Sequence, residues 1–348
     1  MRGLTFPGSR SVEFLEIPDP TPGGTDVVIE VKASGMCGSD LVAYRAAPGA
    51  PRHPKIPHDA APVIAGHEPC GVVVAIGTQV GPAVRVGDRV MVHHYAGCER
   101  CTHCRTGWPQ MCDQQSATIY GMTDHGAHAP YMRVPASTVI PLADELSFVS
   151  GAAISCGVGT AYGALGRIRP SGRDIVLVVG QGPVGLGATL LASAMGAKVI
   201  AVDISDSRLE LARGVGAEHV INSAEVDLGE AVAELTGGRG ADFALEASGA
   251  PSARTAATLS LRPWGEIVLV AGGTPLHVDN TSLITSRQLT IKGSWTFSTA
   301  GQIECARFVV DRGLDLDQLF THQWSLDQAG AAYANFDQQS DGKAAFVF

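Results

Sequence analysis

At 348 residues the chain exceeds an ordinary single domain, so two hydrophobic cores are the expectation. Hydrophobic residues make up 45% and glycines number 42, the texture of an α/β protein with many tight turns. Acidic residues (34) outnumber basic ones (25), giving a net charge of −9 without any long basic run, which argues against nucleic acid and anionic membrane as partners.

The segment Met1 to Pro7 lacks the apolar stretch of a signal peptide, and a cytoplasmic location is expected. Val27 to Ala33 reads as a strand and Gly35-Met36-Cys37-Gly38-Ser39-Asp40 as the turn that leaves it. Ala46 to Pro62, stiffened by prolines and carrying His53 and His58, reads as a surface loop. Gly66-His67-Glu68 follows, an imidazole beside a carboxylate in a glycine-bounded turn; alone it is compatible with a metal ligand or with a structural turn. Gly71 to Gly77 and Asp88 to Val92 continue as strands, so the first third is mostly β.

Eight cysteines are present, and four of them fall in one short run, Cys98-x2-Cys101-x2-Cys104-x7-Cys112. Four thiolates are the full set for a closed tetrahedral zinc, and in a reducing compartment this spacing points to metal in place of disulfides. Such a site has no open position. Its role is to staple a lobe whose Glu99, Arg100, Thr102, His103 and Arg105 are too polar to hold it by burial. A second group, Cys37, His67 and Cys156, is dispersed along the chain, with Glu68 beside the second and Asp40 three residues after the first. Two thiolates and an imidazole leave a fourth position open, as catalytic zinc requires, with Asp40 a candidate acceptor for the other nitrogen of His67; spacing alone cannot assemble them.

Ala129 to Val134 adds a strand and Ser147 to Leu165 a helical region. From Asp174 strands alternate with helices, the signal of a parallel sheet with right-handed crossovers. Ile175 to Ala197 carries no charge and is long enough to span a bilayer, but Gly180, Gly182, Pro183 and Gly185 interrupt it. Those residues instead spell Gly180-Gln181-Gly182-Pro183-Val184-Gly185, a Gly-x-Gly-x-x-Gly turn between strand and helix, where glycines admit a pyrophosphate at a helix N-terminus. Asp203 closes the next strand, placed for the ribose hydroxyls. Its carboxylate repels a 2′-phosphate, so NAD is expected over NADP, with Arg208 five residues on softening the preference.

Together these segments, with Val86-Gly87-Asp88-Arg89-Val90 and Ser155-Cys156-Gly157-Val158-Gly159-Thr160, resemble the zinc-dependent medium-chain alcohol dehydrogenases over essentially the whole chain. The resemblance implies an α/β protein with a GroES-like β-rich catalytic domain at 1–152 and 290–348, including a structural zinc lobe at 95–113. It also implies a doubly wound Rossmann NAD-binding domain at 153–289. It makes Cys37, His67 and Cys156 the catalytic zinc ligands, with Glu68 able to exchange at the ion, and Ser39 the group that takes the alcohol proton. Sugar-alcohol relatives commonly carry Glu where this chain has Cys156, which favours the alcohol dehydrogenase type. Many relatives carry a relay histidine where this chain has Val42, so the last step of the proton route is expected to run through water and the cofactor ribose. His93, His94, Tyr95, Trp295 and Phe297 line the substrate pocket or are plain core, and Lys343 falls near the active-site carboxylate. Cys70 and Cys305 read as buried small hydrophobes.

The expected function is hydride transfer between a primary or secondary alcohol and NAD, with two zinc ions per chain, a small-molecule substrate and a homo-oligomer, tetramer over dimer. The alternatives are a polyol dehydrogenase and a catalytically silent NAD-binding zinc protein serving as scaffold or redox sensor.

Overall fold

The computed structural model describes residues 1–48, 50 and 61–348; His53 and His58 lie outside them. The chain divides into two compact units, Met1–Gly159 with Ser298–Gln338 and Lys343–Phe348, and Thr160–Phe297 with Gln339–Gly342.

The first unit is built on a seven-stranded sheet whose centre is Asp26–Gly35. Val27, Ile29 and Val31 alternate along it and are fully buried against Val73, Val90, Val92 and Met132, the period of two that seats a strand on a core. Pro69–Ile76 pairs antiparallel along one edge, while Tyr131–Pro135 and the late strand Lys343–Val347 share the other. Two pairings matter for function. Ser34 opposite Pro69 brings the Cys37 turn beside His67 and Glu68, and Ala345 opposite Gly35 brings Lys343 to the same corner. Behind that corner lies a second core of Leu4, Phe6, Met36, Leu41, Tyr44, Tyr333, Phe336 and Phe346.

The second unit is a six-stranded, all-parallel sheet in the order His219–Asn222, Lys198–Asp203, Ile175–Val179, Ala241–Glu246, Leu261–Leu269, Thr290–Gly293. Its first strand in sequence is central and the order reverses beside it, which is the doubly wound Rossmann arrangement. Val176 to Val179 are buried without interruption because helices cover both faces of a parallel sheet. The charge-free run from Ile175 thus becomes a five-residue strand and the helix Pro183–Ala194, and among the described residues no single helix is long and apolar enough to cross a membrane.

The units part after Gly159 and after Phe297, each several residues later than the boundaries expected at 152 and 289. Thr290–Gly293 pairs in parallel with Leu261–Leu269, so hydrogen bonding carries it into the Rossmann sheet. Residues 339–342 also belong to that unit, held where Ser207 Oγ donates to the Ser340 carbonyl and Arg208 Nε to that of Asp341. The helical region after Ser147 is two helices, Phe148–Ile154 and Gly157–Ile168, with Ser155 and Cys156 in the break.

Candidate metal and cofactor sites

The corner of the first unit gathers Cys37, His67, Glu68 and Cys156, all buried, with one donor atom from each within 4.8 Å of the others. Local structure explains each placement. Gly35 N–H donates to the Glu68 carbonyl at 3.0 Å, locking the two turns together. Ser155 Oγ donates to the Pro69 carbonyl at 2.8 Å, which ties the helix break carrying Cys156 to the strand that follows Glu68. Gly66 sits at φ +91 with the His128 ring against its Cα, a position where a side chain would meet both strain and a clash.

The electrostatics of this cluster call for a cation. The Cys156 thiol donates toward Cys37, and with help from His67 and Lys343 it holds Cys37 well below its ordinary value against burial. Cys156 is pushed the other way, by Cys37 first and by burial second. Burial pushes Glu68 up to about 8 although Lys343 forms a fully buried ion pair with it. One ammonium therefore does not repay the desolvation of this carboxylate, and Glu68 Oε1 is buried with no hydrogen-bond partner. Two sulfurs, an imidazole and an unsatisfied carboxylate oxygen fit zinc with an exchangeable fourth position.

His67 has a polar neighbour at each nitrogen. Asp40 Oδ1 lies 3.0 Å from Nδ1, and Ser39 Oγ lies 3.0 Å from Nε2. Burial would lower the His67 pKa, but Asp40 and Cys37 outweigh it and hold the ring well above its usual value. Lys343 Nζ also donates to the Met36 carbonyl at 3.3 Å. His93, His94 and Tyr95 are buried next to this cluster, with the His94 ring centroid 5.3 Å from that of His67 and its Nδ1 3.0 Å from the Ser155 carbonyl oxygen. Cys70 and Cys305 are fully buried elsewhere, Cys70 donating to the Val90 carbonyl.

Cys98, Cys101, Cys104 and Cys112 form the other group, again with sulfurs within 4.8 Å of one another and only partly buried. Cys98 Sγ accepts from the amides of Arg100 and Cys101, and Cys101 Sγ accepts from Cys104 N while capping the helix Thr102–Arg105. That helix buries no residue, so apolar packing does not hold it in place. Four clustered sulfurs, two of them accepting from backbone amides, fit a closed zinc site.

In the second unit Gly180 adopts φ +87, and a side chain at Gly185 would overlap the Gly180 carbonyl oxygen. The helix Pro183–Ala194 starts at Gly182 with no side-chain cap, which leaves its first amides for a phosphate. Val184 lies in that first turn. Asp203 Oδ2 accepts from Gln181 N at 2.6 Å, and Oδ1 from Ile204 N and Ser205 N. The acid therefore also braces the glycine turn. Gln181 and Thr189, joined side chain to side chain at 2.9 Å and fully buried, complete the brace; their sequence positions are ordinary for a helix start and gave no signal. Arg208 Nε is engaged by Asp341. Trp295 is half exposed and Phe297 is buried.

The model of the alcohol dehydrogenase GroES-like domain matches residues 23–144, and that of the zinc-binding dehydrogenase matches residues 183–311. The chain is 40% identical to the uncharacterized zinc-type alcohol dehydrogenase-like protein YphC of Escherichia coli strain K12, covering 100% of this chain and 99% of that one. It is 33% identical to an L-threonine 3-dehydrogenase of Saccharopolyspora erythraea, covering 90% and 89%. Among solved structures, one from Escherichia coli CFT073, described as a short chain alcohol dehydrogenase complexed with cofactor NADH, superposes with a TM-score of 0.88 at 27% identity. It covers 100% of this chain and 99% of that one.

Proposed function

The chain belongs to the zinc-dependent medium-chain dehydrogenase family, and from that premise we propose that it is an NAD-dependent alcohol dehydrogenase acting on a primary or secondary alcohol. The convergence of Cys37, His67, Glu68 and Cys156 in one buried corner carries the reading. Cys37, His67 and Cys156 would hold the catalytic zinc with Glu68 beside them as a further carboxylate ligand, and the four-cysteine lobe would hold a structural zinc. The glycine turn and Asp203 support NAD as the cofactor.

When bound, zinc supplies Lewis acidity toward the alcohol oxygen and NAD the hydride acceptor. The chain's own residues do the rest. Ser39, beside His67 Nε2, takes the hydroxyl proton and passes its own outward. Val42 is 65% exposed and has no proton to carry, so water takes over after Ser39. Ser39→Ala is expected to lower turnover about 100-fold while zinc content stays at the wild-type level. Near-normal turnover would remove Ser39 from the route.

The test of the whole reading is a panel of aliphatic, aryl and polyol alcohols and threonine, assayed with NAD and with NADP by reduced-nicotinamide absorbance, alongside metal analysis. The expected result is turnover on a simple alcohol, with kcat/KM for NAD at least about tenfold above NADP because Asp203 opposes a 2′-phosphate. Turnover confined to polyols or threonine would move the substrate class. One zinc per chain and no turnover would favour the silent zinc protein. Cytoplasmic placement and a homo-tetramer are proposed with the family reading; light scattering that returns the 36.1 kDa of one chain would reject the assembly.

A further inference from the structure

Resting on the zinc reading of Cys37, His67 and Cys156, we propose that Tyr333 and His128 are positioning residues for that centre, joined with Ser34 into a hydrogen-bonded string that ends on Asp40 and, through it, on His67. No member of the string is itself among the clustered donor residues. Ser34, His128 and Tyr333 are each fully buried and come from three remote parts of the chain.

The links are short. Ser34 Oγ lies 2.8 Å from His128 Nδ1, His128 Nε2 lies 2.7 Å from the Tyr333 hydroxyl, and that hydroxyl donates to Asp40 Oδ2 at 3.3 Å. Cys37 N donates to the same Oδ2 at 2.9 Å, and Asp40 Oδ1 faces His67 Nδ1 at 3.0 Å.

Donor counting leaves one direction for every link. A carboxylate only accepts, so Tyr333 spends its single O–H on Asp40 and must accept from His128. His128 therefore carries its proton on Nε2, and its bare Nδ1 accepts from the Ser34 hydroxyl. Burial pushes His128 down to about 4 and Tyr333 well above the ordinary phenol value, which keeps one ring neutral and the other protonated as the counting requires. At the far end Asp40 Oδ1 also only accepts, so His67 carries its proton on Nδ1. Nε2, the nitrogen beside Ser39 Oγ, is then the one that would ligate the ion once Ser39 yields it.

A carboxylate behind a metal-ligating histidine fixes its tautomer and orientation. Here the carboxylate is itself fixed, because Oδ2 takes two donors and only Oδ1 is left for His67. Packing removes the remaining freedom. The Tyr333 ring lies 4.7 Å from that of Phe6 and 5.5 Å from that of Tyr44, and the His128 ring stands edge-on to Phe346 at 4.8 Å. His128 also packs against Gly66, the residue before His67.

The experiment compares full-length, zinc-loaded wild type with Tyr333→Phe, following zinc transfer to a colorimetric chelator and the visible spectrum after cobalt substitution. Release of the catalytic-site ion is expected to quicken about tenfold or more, release from the four-cysteine lobe to stay unchanged, and the cobalt spectrum to shift. Tyr44→Phe, in the same aromatic cluster but outside the string, is expected to release zinc like wild type; equal acceleration there would reduce the effect to packing and overturn the proposal. Unchanged release in folded Tyr333→Phe would overturn it too. Should Tyr333→Phe not fold, Ser34→Ala takes its place, with a smaller acceleration expected and none overturning the proposal. Histidine nitrogen NMR on metal-free wild type judges the string apart from zinc: His128 protonated at Nε2 supports it, and protonation at Nδ1 rejects it. A wild-type protein with only one zinc per chain would defeat the zinc reading, not the string.

Discussion

His67→Ala is expected to leave one zinc ion per chain in place of two and to lower turnover by about three orders of magnitude or more. The proposed ion at the buried corner would have two cysteines, His67 and the exchangeable Glu68 position, so losing the imidazole leaves two sulfurs and a carboxylate already paired with Lys343. Lewis-acid stabilisation of the developing oxygen charge is worth several kcal/mol, and each ~1.4 kcal/mol is a factor of ten in rate. The loss also strands Asp40, whose Oδ1 faces His67 Nδ1 in a site 4% exposed. The ion that stays should be the one in the four-cysteine lobe, and it should resist the same chelator concentration as in wild type. Two zinc ions with near-normal turnover in this variant would dismiss the corner as the catalytic centre.

Lys343→Met should cost about 1–3 kcal/mol of stability, more than an ordinary surface lysine, because it leaves a buried carboxyl without its partner. Both Lys343 and Glu68 are 0% exposed, and the carboxylate occupies the space that a side chain at Gly35 would need. Burial alone would lower the Lys343 pKa; Glu68 and Cys37 more than offset it and keep the ammonium charged. The double variant Glu68→Gln with Lys343→Met, which removes both charges, should recover most of the loss in denaturant melts. If the single and double variants melt alike, the lysine matters through its packing and its bond to Met36, not through the pair.

Much of the Rossmann unit was legible because its signals are local. An apolar strand, three glycines and a terminal acid occur in the order in which they act, and the observed parallel sheet has its central strand at that point. The clustering of the four cysteines was legible for the same reason, since they lie within one short run. The other corner was not. Cys37, His67 and Cys156 meet only through strand register and a helix break, and the chain offers no periodicity that joins them, so the resemblance to a family had to supply what spacing could not. The Tyr333 and His128 string is less legible still. A tyrosine in the helix Ala329–Phe336 and a histidine before a strand look like ordinary core residues until the sheet places them against Asp40. The return of residues 339–342 to the second unit likewise depends on backbone carbonyls, which carry no sequence signature.

The pairing of Lys343–Val347 with the central strand has a consequence for how the protein is made. Synthesis runs from the N-terminal side, so Cys37, His67, Glu68 and Cys156 have all left the ribosome long before Lys343, which follows Met36 by 307 residues. Until then the central strand lacks one neighbour and Glu68 its counterion. The corner can close only after the ribosome has finished this strand, so the nascent first unit must spend most of its synthesis with an open sheet edge. A chaperone that binds exposed strands would find it in that interval, and a chain stopped short of residue 343 would never leave it.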